Sequence, residues 1–448
     1  MTDLTLPHSP AAWHRRVWSL SWPVIAANVT VPLVGLVDTA VMGRMPDAAY
    51  VGAVAVGAAI FNAIYWIFGF LRMGTTGLAA QALGARDPAE LTAVAIRGAT
   101  IALGIGGGVV LLQWPLAQGL FQLFQASGRV EDLASTYFHI RIWGAPAQML
   151  YMVVLGALFA LQRMRLALGL SILLNVTNIV LDLLLVLGLN WGVTGVAVAT
   201  LVSEWLATLI GLRLLYRLLG GRSAPLDRLR LWDRDRLRGL IGMSGNLVVR
   251  SFFVQLPFFV FTLIGAGLGD LVLAANAIVM QIFMTLGFAL DGPAQTAETL
   301  CGYAFGARDR PGFRAATRYS LIWSAGMAAV LSLVIAAGGE TFVAWITVLP
   351  ELREAAGALL PWAVAAPLVA VWAFLLDGVY IGTTQTATLR NCMFAAAMLY
   401  LLTIWLFLDT LGNLALWIAM MVFMASRGVL LGALYPRLER KLTPPQLA

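Results

Sequence analysis

Charge is what this sequence has least of. Only 11% of its 448 residues are Asp, Glu, Lys or Arg, against roughly 25% in a soluble domain. That deficit excludes an ordinary water-soluble fold. Cysteine is also scarce. Cys301 and Cys392 both lie in apolar stretches, where they read as small packing residues rather than a disulfide. The three histidines (His8, His14, His139) form no metal-like pair, and no HExxH, Walker loop or aspartate-rich diphosphate motif is present. With no metal cluster, cofactor motif or nucleophile–base pair in view, an enzyme is not expected. The N-terminal MTDLTLPHSPAAWHRR is too polar for a signal peptide, so the first apolar span is expected to act as its own insertion signal.

Apolar runs are abundant. Twelve can be marked: 17–41, 50–80, 91–115, 133–160, 166–188, 192–217, 240–264, 271–303, 315–338, 356–382, 389–409 and 412–436. All twelve reach the ~20 residues that a helix needs to cross about 30 Å of hydrocarbon. The chain therefore reads as an all-α polytopic membrane protein. The net charge of +7 does not indicate nucleic acid here, because the placement of the arginines matters more than their sum. With the N-terminus in the cytoplasm, 23 of the 29 Lys and Arg fall on the cytoplasmic side. Four (Arg44, Arg129, Arg141, Arg353) fall outside, and Arg72 and Arg250 stay within spans. The positive-inside rule then puts both termini in the cytoplasm.

GARD occurs at 84–87 and again at 306–309, an offset of 222 in a chain of 448 residues, and the same offset carries Gly43 to Gly265 and Ala53 to Ala275. Each copy follows an even-numbered span on the same membrane side. Two six-helix lobes are expected, related by a pseudo-two-fold axis along the membrane normal, with a cavity between them. Their bounds are 1–218 and 240–448, joined by a basic cytoplasmic linker at 219–239. The arginines of that linker read as a topology signal and as contacts to lipid headgroups.

An ionisable side chain inside a bilayer costs at least about 2.5 kcal/mol and usually faces a cavity or a partner. Span 1 carries Asp38. Span 5 carries Asp182, with Asn178 one turn before it on the same face. Asp38 lies 22 residues outward of Arg16, Asp182 lies 17 outward of Arg165, and Thr200 lies eight inward of Gly192. At about 1.5 Å per residue, all four reach a similar depth in the outer half of the first lobe and can form one polar pocket. The repeat provides a control: the offset carries Asp38 to Val260, Asp182 to Ile404, Asn178 to Tyr400 and Thr200 to Val422. A pocket needed only for packing should recur in the second lobe. Buried, paired carboxylates hold protons at higher pH than free ones, and the same four oxygens suit Na⁺, so ligand type leaves the coupling cation open.

The second lobe has a different set: Arg250 on span 7, Asp291 and Glu298 on span 8, and Asp377 on span 10. One arginine among three acids suggests a buried ion pair, with an acid left over to meet a cationic substrate. Pro23 and Pro32 each remove a helical hydrogen bond from span 1 and provide candidate kinks beside Asp38. The sequons at Asn28 and Asn175 lie inside spans and should be inaccessible to glycosylation.

VPLVGLVDTAVMGR (31–44), the GARD after span 2, the NxxxD of span 5 followed by GVxGxAxAT, and LLDGVYIGTT (375–384) together resemble the multidrug and toxic compound extrusion (MATE) transporters. The resemblance runs over essentially the whole chain and is strongest to the DinF-type branch. It implies a pair of six-helix lobes, working as a monomer, that export amphipathic and cationic compounds in exchange for H⁺ or Na⁺. By position, Asp38, Asn178, Asp182 and Thr200 match the family's cation site, and Pro23 matches the proline at which span 1 bends. Asp377 falls where the NorM-type branch has an acid on span 10, but that branch's span 7 glutamate is missing from SFFVQLPFF (251–259). The DinF branch implies proton coupling. The alternative from another functional class is a flippase for a lipid-linked precursor, which would require a basic central cavity.

Overall fold

A computed structural model of the protein describes residues 6–45, 47–124, 127–220 and 231–442. No strand occurs among them. Hydrocarbon offers no hydrogen bonds to a peptide group, so a chain this apolar must satisfy its backbone within each segment, and the helix does so. Among the described residues, twelve long helices follow in order. They are α1 (Pro10–Met42), α2 (Ala49–Gly84), α3 (Pro88–Leu111), α4 (Gly128–Ala160), α5 (Met164–Gly188), α6 (Gly192–Gly220), α7 (Arg234–Gly267), α8 (Asp270–Gly306), α9 (Arg310–Ile346), α10 (Pro350–Gly382), α11 (Thr386–Leu411) and α12 (Asn413–Arg440). A short helix, Gln113–Phe124, follows α3. Eleven, α2 to α12, are long and apolar enough to cross a membrane, and α1 covers the remaining expected span, 17–41. The middle of the expected linker, 221–230, lies outside the described residues.

The internal repeat is written into the turns. Three pairs of residues 222 apart share a left-handed backbone: Arg86 and Arg308 (φ 56° and 54°), Gln162 and Thr384 (57° and 56°), Asn190 and Gly412 (57° and 53°). In both GARD turns the aspartate caps the helix that follows. Asp87 accepts from Glu90 N at 3.0 Å, and Asp309 accepts from Gly312 N at 2.9 Å. Such a cap satisfies an amide that the first helical turn leaves free.

By contacts the chain forms two units. Residues 26–237 make one, and residues 1–25 with 238–448 make the other. The N-terminal part of α1 belongs to the second unit: Ser21 Oγ and Thr296 Oγ1 share a hydrogen bond of 2.9 Å, and Trp18 stacks on Trp323 at 4.8 Å. Buried Pro23 lies in that part, just before the changeover at Ile25. The core of the 26–237 unit gathers Phe61, Tyr137, Phe138 and Met149. That of the other unit gathers Phe261, Tyr400, Trp417 and Phe423. There Asn276 cross-links α8 to α12, donating to Asn413 Oδ1 at 2.7 Å and accepting from Trp417 Nε1 at 2.9 Å.

Matched glycines let helices touch in each half. Gly156 lies against Arg72 O, where an added Cβ would stand 2.6 Å away, and its repeat partner Gly378 lies against Ala294 O. Gly156→Val and Gly378→Val should each cost about 1–3 kcal/mol through overpacking. A lower melting temperature of the detergent-solubilised protein is expected for both, and no change for Gly104→Ala, which faces open space.

Candidate functional site

Within the 26–237 unit, α1, α2, α4, α5 and α6 enclose a cavity of about 330 Å³. Its walls carry Asp38, Asn178 and Thr200, together with Tyr137, Arg141 and Glu204. Asp182, one turn beyond Asn178, is fully buried, and its carboxyl group neighbours that of Asp38. The four residues picked out as a first-lobe pocket are thus gathered at one place. Asn178 Nδ2 donates to Thr200 Oγ1 at 3.2 Å, and Thr200 in turn donates to Val196 O at 3.0 Å. Asp38 Oδ1, Asn178 Oδ1 and both oxygens of Asp182 are buried and accept no hydrogen bond. A buried polar atom left in that condition is costly. Among the described residues, no group of three or more His, Cys, Asp or Glu is arranged to hold a metal ion.

Local backbone departures frame the site. Immediately after Asp182, α5 widens into a π-helical turn, Leu183–Gly188, a feature often found at functional positions. Helix α4 tightens into a 3₁₀ turn at Ile142–Gly144, immediately after Arg141. The Trp143 carbonyl accepts from Trp205 Nε1 at 3.1 Å, and Ala147 O accepts from Thr208 Oγ1 at 3.0 Å, which fastens α6 to α4. Gly144 lies beneath Glu204, where a Cβ would meet Glu204 Oε2. On the other flank Asn175 Nδ2 donates to Thr30 Oγ1 at 2.7 Å. Two side chains from the sequons therefore join α5 to α1.

Arg141 and Glu204 are the residues that sequence reasoning missed. Arg141 is expected outside when span 4 begins at 133. In the structure α4 begins at Gly128, and the side chain is half-buried within the unit. Its Nη1 donates to Tyr137 OH at 2.9 Å, its Nη2 lies 3.6 Å from Glu204 Oε1, and its guanidinium covers the Phe61 ring at 4.7 Å. The available signals were the four-residue spacings Tyr137–Arg141 and Thr200–Glu204, each of which puts two polar residues on one helical face.

The second unit holds its own charges. Asp377 pairs with Arg250 and also with Arg427, whose Nη2 donates to Asp377 Oδ2 at 2.5 Å. Arg427, expected at the cytoplasmic end of span 12, is instead 3% exposed and packs on Phe423 at 5.3 Å. The expected single arginine among three acids is therefore two arginines on one acid. Glu298 is buried on α8 where Gly378 and Gly382 of α10 press on its backbone. Asp291 lies half-buried two turns earlier. At the repeat positions of Arg250, Asp377 and Arg427 stand Asn28, Leu155 and Trp205. Each unit therefore places these interior charges where the other has none.

The family model MatE matches residues 23–184 and 247–406, once in each half. The chain belongs to the MATE family. These are membrane transporters of the multidrug and toxic compound efflux type, not enzymes. The chain is 39% identical over 427 residues to DNA damage-inducible protein F of Escherichia coli (strain K12), covering 94% of this chain and 92% of that one. It is 23% identical to a probable multidrug resistance protein NorM of Acinetobacter baylyi, covering 83% and 84%. The Vibrio cholerae MATE transporter VcmN in its bent form shares the fold at a TM-score of 0.86 and 18% identity, covering 96% and 98%. As a MATE protein the chain is a multi-pass membrane protein.

Asp377→Ala would leave Arg250 and Arg427 buried without their shared partner. Breaking a buried pair in this way costs about 3–5 kcal/mol. A large fall in the melting temperature of the purified protein is expected, with Asp377→Asn falling less.

Proposed function

We propose that the protein is a secondary antiporter that exports amphipathic, cationic drugs or metabolites in exchange for protons. The observation that carries this is the neighbouring pair Asp38 and Asp182, whose buried oxygens lack hydrogen-bond donors beside a cavity that also presents Asn178 and Thr200. In this reading residues 1–218 and 240–448 are the two lobes joined by the 219–239 linker, in the bacterial inner membrane with both termini cytoplasmic. The protein works as a monomer among lipids and needs no cofactor. A proton from outside joins the Asp38/Asp182 pair, α1 adjusts near Pro23, and the substrate is released outward. The lobes turn inward, the proton leaves, and the ionised pair again favours a cationic substrate. The relatives named as multidrug resistance proteins support the substrate class. The likeness to DNA damage-inducible protein F supports the branch.

Na⁺ is the competing coupling ion, since carboxylate, amide and hydroxyl oxygens suit it equally. The lipid-precursor alternative calls for free basic groups. Arg250 and Arg427 are both committed to Asp377.

In proteoliposomes given a pH gradient or a Na⁺ gradient separately, the pH gradient alone should drive efflux of a cationic dye. Asp38→Asn should abolish dye-coupled proton movement while the protein still inserts and folds. Normal antiport by that variant would overturn the coupling role of the Asp38/Asp182 pair, efflux driven by Na⁺ alone would replace the proton, and efflux driven by neither gradient would overturn the antiporter reading.

A further inference from the structure

Glu204 has no part in the exchange just described. It is 4% exposed and lines the cavity that Asp38 lines. The groups that face it or share its surroundings are Asp38 from α1, Tyr65 from α2, Tyr137 and Arg141 from α4, and Asp182 beside Asp38 from α5. Among the described residues, the charges gathered here are three carboxylates and one guanidinium. Arg141 compensates one negative charge. A buried set left with two uncompensated negative charges is strongly disfavoured in a poorly polarisable interior.

Arg141 has partners besides Glu204. The closest contact between Arg141 and Glu204 is 3.6 Å, and Glu204 Oε2 is buried with no hydrogen-bond partner. Arg141 is also held by Tyr137 OH at 2.9 Å and by the Phe61 ring at 4.7 Å. Glu204 is therefore a carboxylate with one oxygen facing Arg141 and the other, packed on Gly144, left without a donor.

We infer that Glu204 is a second coupling carboxylate, so that the cavity takes up two protons for each substrate molecule released. The inference rests on the antiporter reading. In each cycle one proton from the outer solution joins the Asp38/Asp182 pair and another joins a Glu204 oxygen to give the carboxylic acid. Both leave to the inner solution, and no electron is transferred. Two protons moving inward against one monovalent cation moving outward carry one net positive charge inward. The exchange is then driven by an inside-negative potential as well as by a pH gradient. A single-proton exchange of the same cation would be electroneutral.

Proteoliposomes loaded with ethidium and an internal pH dye test this. A valinomycin–potassium potential, inside negative and with no pH gradient, should accelerate ethidium efflux several-fold in the unaltered protein. Two protons should enter per ethidium. Glu204→Gln should lose the response to potential, keep the response to a pH gradient, and fall to one proton per ethidium. Glu204→Asp should restore two. A potential-insensitive, one-for-one exchange by the unaltered protein overturns the inference without any variant, so a poorly folding Glu204→Gln does not protect it. A Glu204→Gln protein that still counts two protons also overturns it. Asp38→Asn separates the two ideas. Retained coupling in that variant removes the Asp38/Asp182 pair as the first proton site, whereas lost coupling together with an unchanged count in Glu204→Gln removes only the role of Glu204.

Discussion

Hydrocarbon solvates neither a peptide group nor a charge, and the rest of this structure follows from that. It forces the backbone into helices and requires every buried ion to arrive with a partner. Asp377 lies between Arg250 and Arg427. Glu90 receives Arg97 from its own helix and Arg236 from the start of α7. Arg141 stands over an aromatic ring with Glu204 beside it. Against that background the Asp38/Asp182 pair stands apart, because its nearest charged neighbour is another acid. A fold that compensates its charges elsewhere can retain such a pair if a mobile cation completes it for part of each cycle.

The duplication separates architecture from chemistry. Features common to both halves are the left-handed turn residues, the aspartate caps and the Gly156/Gly378 contacts. All of them shape helices or let them approach. The ionisable groups of the membrane interior do not recur. Val260, Ile404 and Val422 stand where the first half has Asp38, Asp182 and Thr200, while Leu155 and Trp205 stand where the second has Asp377 and Arg427. The six-helix scaffold is thus indifferent to these charges, and each half has used that freedom differently.

Much of the fold was legible because helix length, arginine placement and an exact tetrapeptide repeat are one-dimensional signals. The first-lobe site was legible for a related reason: Asn178 and Asp182 are one turn apart on one helix, and depth can be counted from the nearest arginines. Arg141 and Arg427 were not. Both lie near expected span ends, and a positive charge there has the same sequence appearance whether it meets headgroups or turns inward. Only the packing of α4 and α12 distinguishes the two. The changeover within α1 was also hidden, because a continuous helix leaves no composition break where its contacts pass from one unit to the other.

The 3₁₀ turn after Arg141 has a consequence that reaches beyond geometry. Gly144 leaves a gap one methyl group wide, and the carboxylate of Glu204 occupies it. The electrical character of the cavity thus hangs on an atom that is missing from the backbone opposite. A hydrogen at position 144 admits an acid that a larger group would push aside, so a neutral residue on one helix governs where a charge on another is able to reside.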